Sequence, residues 1–186
     1  MSLRHILLGM LGNPTSGYDL KREFEQGAAH YWAADLAQIY PALKKMEQLG
    51  WLTSESAPSE KGPPRKLYTR TSAGLAELCD WVRTGPTVGT QRAPWAAQIE
   101  FAHLTDDPAV TLQLIEGIRS HFAPFCELLE QAIEDEFAEP LSEEDFHAYL
   151  TIKLGVRTIR GRLDWCDEAE TLVRQRYQDS CKETGQ

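Results

Sequence analysis

The sequence predicts a mainly α-helical protein built in two parts, with one short β-hairpin inside the first part. Three observations support this prediction. Apolar residues recur at spacings of three and four in several stretches, which is the period of a helix that packs along one face. Residues 57–64 are rich in turn formers and separate two short β-prone runs. Residues 83–95 hold two glycines, two prolines and three threonines, so we expect a linker there that divides the chain.

The composition excludes several classes of protein. Of 186 residues, 42% are hydrophobic and 25% are charged, as in ordinary globular proteins. No apolar run approaches the ~20 residues of a membrane-spanning helix, and the apolar start is broken at Gly9 and Gly12, so we expect a helix of the fold there and no signal peptide. The four cysteines are scattered without a CxxC pair, which favours reduced thiols in a cytoplasmic protein. They are Cys79, Cys126, Cys166 and Cys181.

The charge is unevenly distributed along the chain. The whole protein carries a net charge of −9, which by itself argues against a nucleic-acid partner. Residues 1–84, however, hold 10 Lys/Arg and 9 Asp/Glu, whereas residues 85–186 hold 9 and 19. The acidity therefore belongs to the second part, and the position of the bases decides what the first part can bind.

Serine and aspartate mark the starts of the helices in the first part. A short apolar helix is expected over residues 2–11. Ser16 is followed three positions later by Asp19, which is the pattern of a capping box and predicts a helix to about residue 26. Asp35 and Gln38 form a second such pair at the start of a helix over residues 36–50.

The helix over residues 36–50 has two distinct faces. Its apolar face holds Leu36, Ile39, Leu43 and Met46. Its opposite face holds Ala37, Gln38, Pro41, Lys44, Lys45 and Gln48, with no acid at its centre. A solvated surface would explain this pattern, but small residues followed by cations also suit a helix that enters a DNA groove. Pro41 lies in the second turn if Asp35 is the cap, and in the first turn if the helix starts nearer Ala37; the sequence leaves both starts open.

Residues 51–56 and 65–70 are predicted to pair as a β-hairpin, with Lys61, Arg65 and Lys66 at its tip or along its return strand. Thr71 and Ser72 then cap another helix, for which we expect an apolar stripe of Leu75, Leu78 and Val82. Three helices, a two-stranded hairpin and a fourth helix follow the order of a winged helix-turn-helix, in which the hairpin is the wing.

Several short motifs in this order resemble the PadR family of transcriptional regulators. They are Gly17-Tyr18-Asp19-Leu20, Gln38-Ile39-Tyr40-Pro41-Ala42-Leu43, Leu49-Gly50-Trp51, the wing from Gly62 to Tyr68, and Thr71 with Gly74. The resemblance implies that residues 38–45 belong to the recognition helix and that Lys66 and Tyr68 belong to the wing. It also implies that Pro41 is part of the pattern, whereas Asp35 stands where the family leads us to expect serine. The DNA-binding residues expected on this basis are Tyr18, Ala37, Gln38, Tyr40, Lys44, Lys45, Arg65, Lys66 and Tyr68.

The second part is predicted to consist of long helices. Asp107 and Pro108 mark one start, and that helix runs towards Phe137, with a bend expected at Pro124. Ser142 and Asp145 mark the start of another, which extends to about residue 180. Its apolar positions follow a heptad that is interrupted at Glu170: Ile152, Val156, Ile159, Leu163, Cys166, Val173 and Tyr177.

This layout resembles the long C-terminal domain of the PadR subfamily that includes the virulence activators, in which the helices form a dimer. An intramolecular helical hairpin is the alternative explanation of the same stripe. The expected domains are therefore residues 1–84, a DNA-binding winged helix-turn-helix; 85–107, a linker and connecting segment; and 108–186, a helical dimerisation domain.

The remaining motifs do not favour catalysis or metal binding. The histidines are scattered, and neither a metal-ligand spacing nor a phosphate-binding or nucleophile motif occurs, so we expect no enzyme, no metal and no cofactor. Trp95 and Trp165 are candidates for a cavity at the dimer interface that takes a flat apolar effector, although core packing is the better explanation of these tryptophans.

Together these expectations describe a cytoplasmic homodimer that binds double-stranded DNA as a transcriptional regulator. Repression at a pseudo-palindromic operator is the mode that the resemblance implies, with release by a small-molecule effector. The alternative is a protein-interaction adaptor whose winged domain binds no DNA. The operator, the target gene, the effector and the direction of regulation are not specified by the sequence.

Overall fold

The computed structural model describes residues 2–24, 31–32, 34–58, 64–89, 92–137 and 141–183. The chain forms two compact units, Met1–Gly89 and Thr90–Gln186. The first unit contains helices α1 (Ser2–Met10), α2 (Gly17–Glu23), α3 (Leu36–Gln48) and α4 (Ser72–Arg83), and strands β1 (Thr15–Ser16), β2 (Leu52–Ala57) and β3 (Arg65–Arg70). The fold class predicted from the sequence, a mainly α-helical protein with an N-terminal winged helix-turn-helix, is confirmed.

The predicted caps begin the helices of the first unit. The Ser16 hydroxyl accepts the Asp19 N–H at 3.1 Å and donates to the Asp19 carboxylate at 2.7 Å. Thr71 caps α4 by accepting the Gly74 N–H at 3.1 Å. Each cap satisfies a backbone donor that the first helical turn leaves unpaired. The predicted end of α2 near residue 26 lies outside the described residues.

The hairpin forms as predicted, and a third strand joins it. Strands β2 and β3 pair antiparallel, with Ser54 opposite Tyr68 and Ser56 opposite Lys66. Strand β1 pairs with the other edge of β3, giving the order β1-β3-β2. Strand β1 has only two residues, which is too short to show an alternating pattern, so it could not be predicted from the sequence. Lys61, expected near the tip of the wing, lies outside the described residues.

The core of the first unit lies between the helices and the sheet. It buries the α3 positions Ile39, Leu43 and Met46, as predicted, while Leu36 is half-buried. Other buried members come from α1, α2, the residues that directly follow these helices, and the strands: Leu7, Leu8, Leu11, Leu20, Phe24, Leu52 and Tyr68.

The apolar stripe predicted for α4 is wrong at two of its three positions. Leu75 and Val82 are 45% and 66% exposed. The helix instead packs through Gly74, which is buried, and through Leu78, which borders the core. A β-carbon at Gly74 would lie 2.3 Å from the Trp51 carbonyl oxygen, so the absence of a side chain lets α4 approach the start of β2.

The second unit is built around two long antiparallel helices, α6 (Pro108–Glu136) and α7 (Glu143–Glu183). Helix α5 (Pro94–Phe101) and a 3-10 turn (Ala102–Thr105) precede them. The sequence predicts only a connecting segment over residues 85–107, so α5 is an element that it missed. The start signals of the long helices are confirmed: Asp107 accepts the Ala109 N–H at 2.9 Å, and Ser142 accepts the Asp145 N–H at 3.1 Å.

The heptad stripe of α7 packs on α6 within the same chain. Val156 and Ile159 pack with Cys126 and Leu129, while Cys166 packs with Ile115 and Ile118. Ile152, Leu163 and Val173 border these two clusters, whereas Tyr177 is exposed. The intramolecular hairpin therefore accounts for this stripe, and a second copy of the chain would have to use other faces.

Ion pairs also link the two long helices. Arg119 of α6 donates to Asp167 and Glu170 of α7 at 3.1 and 2.7 Å, and Arg160 of α7 donates to Glu130 of α6 at 2.6 Å. Within the described part of the chain, no helix combines the length and the apolar character needed to cross a membrane.

Candidate nucleic-acid interface

Helix α3 presents a continuous polar face away from the core. The side chains of this face are all exposed, and they are the six that the helical period predicts for the polar face: Ala37, Gln38, Pro41, Lys44, Lys45 and Gln48. Among the described residues, neither Lys44 nor Lys45 forms an ion pair, so both ammonium groups are available to an anionic partner. This face offers small side chains near the helix start and cations one to two turns later.

The capping box of α3 decides where the helix starts. Asp35 Oδ1 accepts the Gln38 N–H at 2.9 Å, and Gln38 Oε1 accepts the Asp35 N–H at 3.4 Å. The helix therefore begins at Leu36, and Pro41 lies in its second turn, on the exposed face. The missing N–H of Pro41 leaves the Ala37 carbonyl without its intrahelical donor. Because this carbonyl lies on the exposed side, water or a bound partner can supply the hydrogen bond.

Helices α2 and α3 meet at Gly17 and Tyr40. A β-carbon at Gly17 would lie 2.7 Å from the Tyr40 ring, so glycine allows the ring to lie against the start of α2. Tyr40 nevertheless remains about half exposed, and the neighbouring Tyr18 is exposed as well. The two tyrosines thus flank the polar face of α3 at its N-terminal end.

The three wing residues predicted to bind DNA lie in two different environments in the structure. Arg65 and Lys66 are exposed on β3. Tyr68 is 6% exposed and belongs to the core, with Lys66 Nζ lying 5.1 Å from its ring centroid. The register explains this placement, because Tyr68 lies between Thr15 of β1 and Ser54 of β2.

A hydrogen-bonded cluster that the sequence analysis missed connects α3 to the wing. Lys66 Nζ donates to Glu47 Oε2 at 2.8 Å, and the Ser54 hydroxyl donates to Glu47 Oε1. We call these three residues the Glu47 clasp. The hydrogen bonds from Lys66 and Ser54 lower the pKa of Glu47, and the bond to Glu47 raises the pKa of Lys66. Helical periodicity places Glu47 at the edge of the polar face, but only the strand register brings its partners to it.

The chain geometry after α3 builds the clasp. Gly50 adopts a left-handed φ of 73°, and Trp51 N–H returns to the Met46 carbonyl at 3.0 Å. This is a Schellman termination, in which glycine is favoured at the left-handed position. It turns the chain directly into β2, which brings Ser54 beside the last turn of α3.

The second unit holds the two tryptophans predicted to bind an effector. Trp95 of α5 and Trp165 of α7 are in contact, with ring centroids 5.6 Å apart. Trp95 also lines a cavity of about 360 Å³ between α5 and α6, whereas Trp165 is not among its lining residues. The other lining residues are Gln98, Gln113, Leu114, Gly117, Ile118, His121 and Phe122.

In the ranges that the structure describes, no group of three or more His, Cys, Asp or Glu side chains could hold a metal ion. Cys79, Cys126 and Cys166 are free thiols, and the side chain of Cys181 lies outside the described residues.

Comparison with known families accounts for both units. Residues 6–80 match the model of the transcriptional regulator PadR-like family, and residues 91–174 match the virulence activator alpha C-terminal model. The chain carries a PadR-like domain. It therefore joins the winged domain of PadR-like transcriptional regulators to the helical C-terminal domain of the virulence activators.

Known PadR-like relatives resemble the chain over nearly its whole length. A probable transcriptional regulator of Mycobacterium tuberculosis is 27% identical over 95% of this chain and 100% of its own length. The negative transcriptional regulator PadR of Bacillus subtilis is 25% identical over 92% of this chain and 97% of its own.

Solved structures share the fold of both units. Bacillus subtilis PadR in complex with operator DNA superposes with a TM-score of 0.77 at 23% identity, covering 93% of this chain and 99% of that one. The same protein in complex with p-coumaric acid gives 0.68 at 26% identity, covering 92% and 95%. The virulence activator AphA of Vibrio cholerae gives 0.69 at 21% identity, covering 93% and 98%.

Proposed function

We propose that this PadR-like protein is a cytoplasmic, homodimeric regulator that represses transcription by binding a pseudo-palindromic operator in double-stranded DNA. The observation that supports this most directly is the exposed polar face of α3 beside the exposed bases of the wing, since Lys44 and Lys45 on that face form no ion pair with any residue that the structure describes. A helix of this kind fits the major groove, and a wing carries cations to the adjacent phosphates.

Individual roles follow from side-chain chemistry. Lys44, Lys45 and Arg65 meet phosphates, because these charges are exposed and, among the described residues, none of them forms an ion pair.

Ala37, Gln38 and Tyr40 lie near base edges. Glutamine pairs with adenine through both amide atoms, but the Gln38 oxygen already serves the capping box, so adenine recognition requires that side chain to leave Asp35. Exposed Tyr18, at the start of α2, forms the edge of this DNA-binding surface. Buried Tyr68 packs in the core below the wing and stabilises the surface without contacting DNA.

Repression is the mode favoured by the relatives, because Bacillus subtilis PadR is named a negative regulator. AphA is named an activator, so a reporter gene placed behind the selected operator decides the direction. Binding of p-coumaric acid by Bacillus subtilis PadR supports an effector here too. We assign it to the cavity lined by Trp95, with Trp165 backing that ring, and expect a flat aromatic molecule that hydrogen-bonds to amide or imidazole groups.

DNA binding can be tested by its dependence on salt. The operator is first selected from a random pool, and affinity is then measured by fluorescence anisotropy between 50 and about 300 mM salt. We expect a linear fall of log K with log salt, with a slope of roughly −0.9 per neutralised phosphate. Lys44→Ala should make that slope shallower by about 0.9 per subunit, about 1.8 for the dimer, and weaken binding on every sequence.

Arg92→Ala provides the matched control, because it removes one positive charge from an exposed position outside α3 and the wing. It should leave both the affinity and the slope unchanged. If the wild-type protein selects no sequence and its binding shows no salt dependence, the protein is not a DNA-binding regulator, and the adaptor alternative takes its place.

A further inference from the structure

Lys66 differs from the other bases of the candidate interface in being paired. Its ammonium group donates to Glu47 at 2.8 Å. Arg65, the residue before it on the same strand, forms no ion pair within the described residues. Two adjacent wing cations therefore reach a DNA duplex in different electrostatic states.

Glu47 is held in place from two sides. One carboxylate oxygen accepts from Lys66 of β3 and the other accepts from Ser54 of β2. Ser54 lies opposite Tyr68, and the Tyr68 ring lies beneath the Lys66 ammonium group. The carboxylate therefore cannot turn away from the wing without losing both hydrogen bonds.

We propose that Glu47 is a positioning residue that neutralises Lys66 and thereby restrains sequence-independent DNA binding by the wing. This inference rests on the proposed function. A phosphate that approaches Lys66 meets an ion pair of zero net charge, with an anionic oxygen 2.8 Å behind the ammonium nitrogen. Counterion release counts the phosphates that lysine and arginine neutralise, and Lys66 already neutralises Glu47, so the Glu47–Lys66 pair contributes less than a free lysine. Sequence recognition by α3 then accounts for a larger share of the binding free energy.

The direction of the two pKa shifts agrees with this role. The lowered pKa of Glu47 and the raised pKa of Lys66 keep both groups charged throughout the neutral range. The pair thus persists at the pH at which DNA binding is measured.

The first test replaces Glu47 by glutamine, which keeps an oxygen for the Ser54 hydroxyl and removes the charge. Binding is measured on a duplex without an operator across a salt series. Glu47→Gln should tighten this binding about 5- to 10-fold near 0.1 M salt for each wing in contact and steepen the slope by about 0.9 per wing, because each wing neutralises one more phosphate. Asp80→Asn is the control, since Asp80 forms an exposed ion pair with Arg83 and its loss changes the net charge equally. It should leave the affinity within twofold.

The second test asks whether the effect passes through Lys66. In a Lys66→Met background, Glu47→Gln should no longer steepen the slope. Independently, Arg65→Met should make the wild-type slope shallower by about 0.9 per subunit, about 1.8 for the dimer, and Lys66→Met should change it by less than half as much. This comparison of Arg65 with Lys66 does not depend on the folding of the Glu47 variant.

Three results would overturn the inference: an unchanged slope in Glu47→Gln, a steeper slope on Glu47→Gln that survives in the Lys66→Met background, or equal changes of slope for Arg65→Met and Lys66→Met. A wild-type protein with no salt-dependent binding is a different result, because it refutes the proposed function itself.

Discussion

At the scale of single residues, Gly74 has a structural requirement that no side chain can meet. It lies in the first turn of α4, its N–H is accepted by Thr71, and the Thr71 hydroxyl in turn donates to the Gly50 carbonyl at 2.7 Å. A β-carbon there would overlap the Trp51 carbonyl oxygen, which is backbone and cannot rotate aside. We expect Gly74→Ala to lower the free energy of unfolding by about 1–3 kcal/mol, as overpacked sites do.

Chemical denaturation of the whole chain measures this effect. Gly9→Ala is the control, because a β-carbon at Gly9 meets nothing within 4 Å and alanine favours the helical state. That change should leave stability unchanged or raise it by up to about 1 kcal/mol. Equal stabilities for Gly74→Ala and the wild type would refute the close approach of α4 to β2.

The capping residues and the α3 core positions could be predicted because they depend on neighbours within four residues. Ser16, Asp35 and Thr71 bond to backbone groups three positions away, and Ile39 and Leu43 follow the helical period. The burial of Tyr68 and the pairing of Lys66 could not be predicted in this way. Both depend on which residues of β1, β2 and α3 face β3, and that is decided by tertiary contacts.

At the scale of elements, α4 shows how a correct helix can be assigned the wrong face. Its period allows a stripe through Leu78 that continues either to Leu75 and Val82 or to Gly74 and Trp81. Hydrophobicity favours the first stripe, but the second is the one that packs. His5 of α1 stacks on Trp81 with centroids 4.8 Å apart and bonds to Glu77 at 3.1 Å, so a polar residue makes part of the helix–helix contact.

The cavity between α5 and α6 can be tested as the effector site by filling it with a larger side chain. Gly117 lines it, and a β-carbon there would meet nothing within 4 Å, so a larger side chain can enter the cavity without a backbone clash. We expect Gly117→Leu to weaken the binding of the flat aromatic effector proposed above at least tenfold in a calorimetric titration, because leucine occupies the volume of the ring.

Gly161→Leu on α7 is the matched control. It makes the same substitution at a helical glycine that also has open space, away from the cavity lined by Trp95. Both changes favour the helical state, so neither should act through unfolding. Equal affinity in wild type and Gly117→Leu would remove the cavity from consideration as the effector site.

At the scale of the whole molecule, the apolar residues that α6 does not cover indicate where a second copy would pack. Phe146, Leu150 and Leu154 are 45%, 48% and 64% exposed and recur every four residues along the first half of α7. This spacing places them on one side of the helix, apart from the stripe through Val156 and Ile159 that packs on α6. A homodimer through this face would carry two winged units. A two-fold symmetric operator requires two such units, because its half-sites lie about one helical turn apart, roughly 34–36 Å.

Replacing both Leu150 and Leu154 by aspartate tests the dimer, because burying two carboxylates against their symmetry mates costs more than the apolar contact returns. Sedimentation equilibrium should show the mass of two chains for the wild type and of one for this variant. The control is Leu75→Asp at an exposed position of the first unit, and this variant should remain dimeric.

Since α3 and the wing are unchanged in the Leu150 and Leu154 variant, its monomer should keep its salt-dependent affinity for a single half-site. It should lose only the additional affinity that comes from binding two half-sites at once. A variant that stays dimeric would place the interface elsewhere, and a monomeric wild type would mean that each winged unit reads DNA alone.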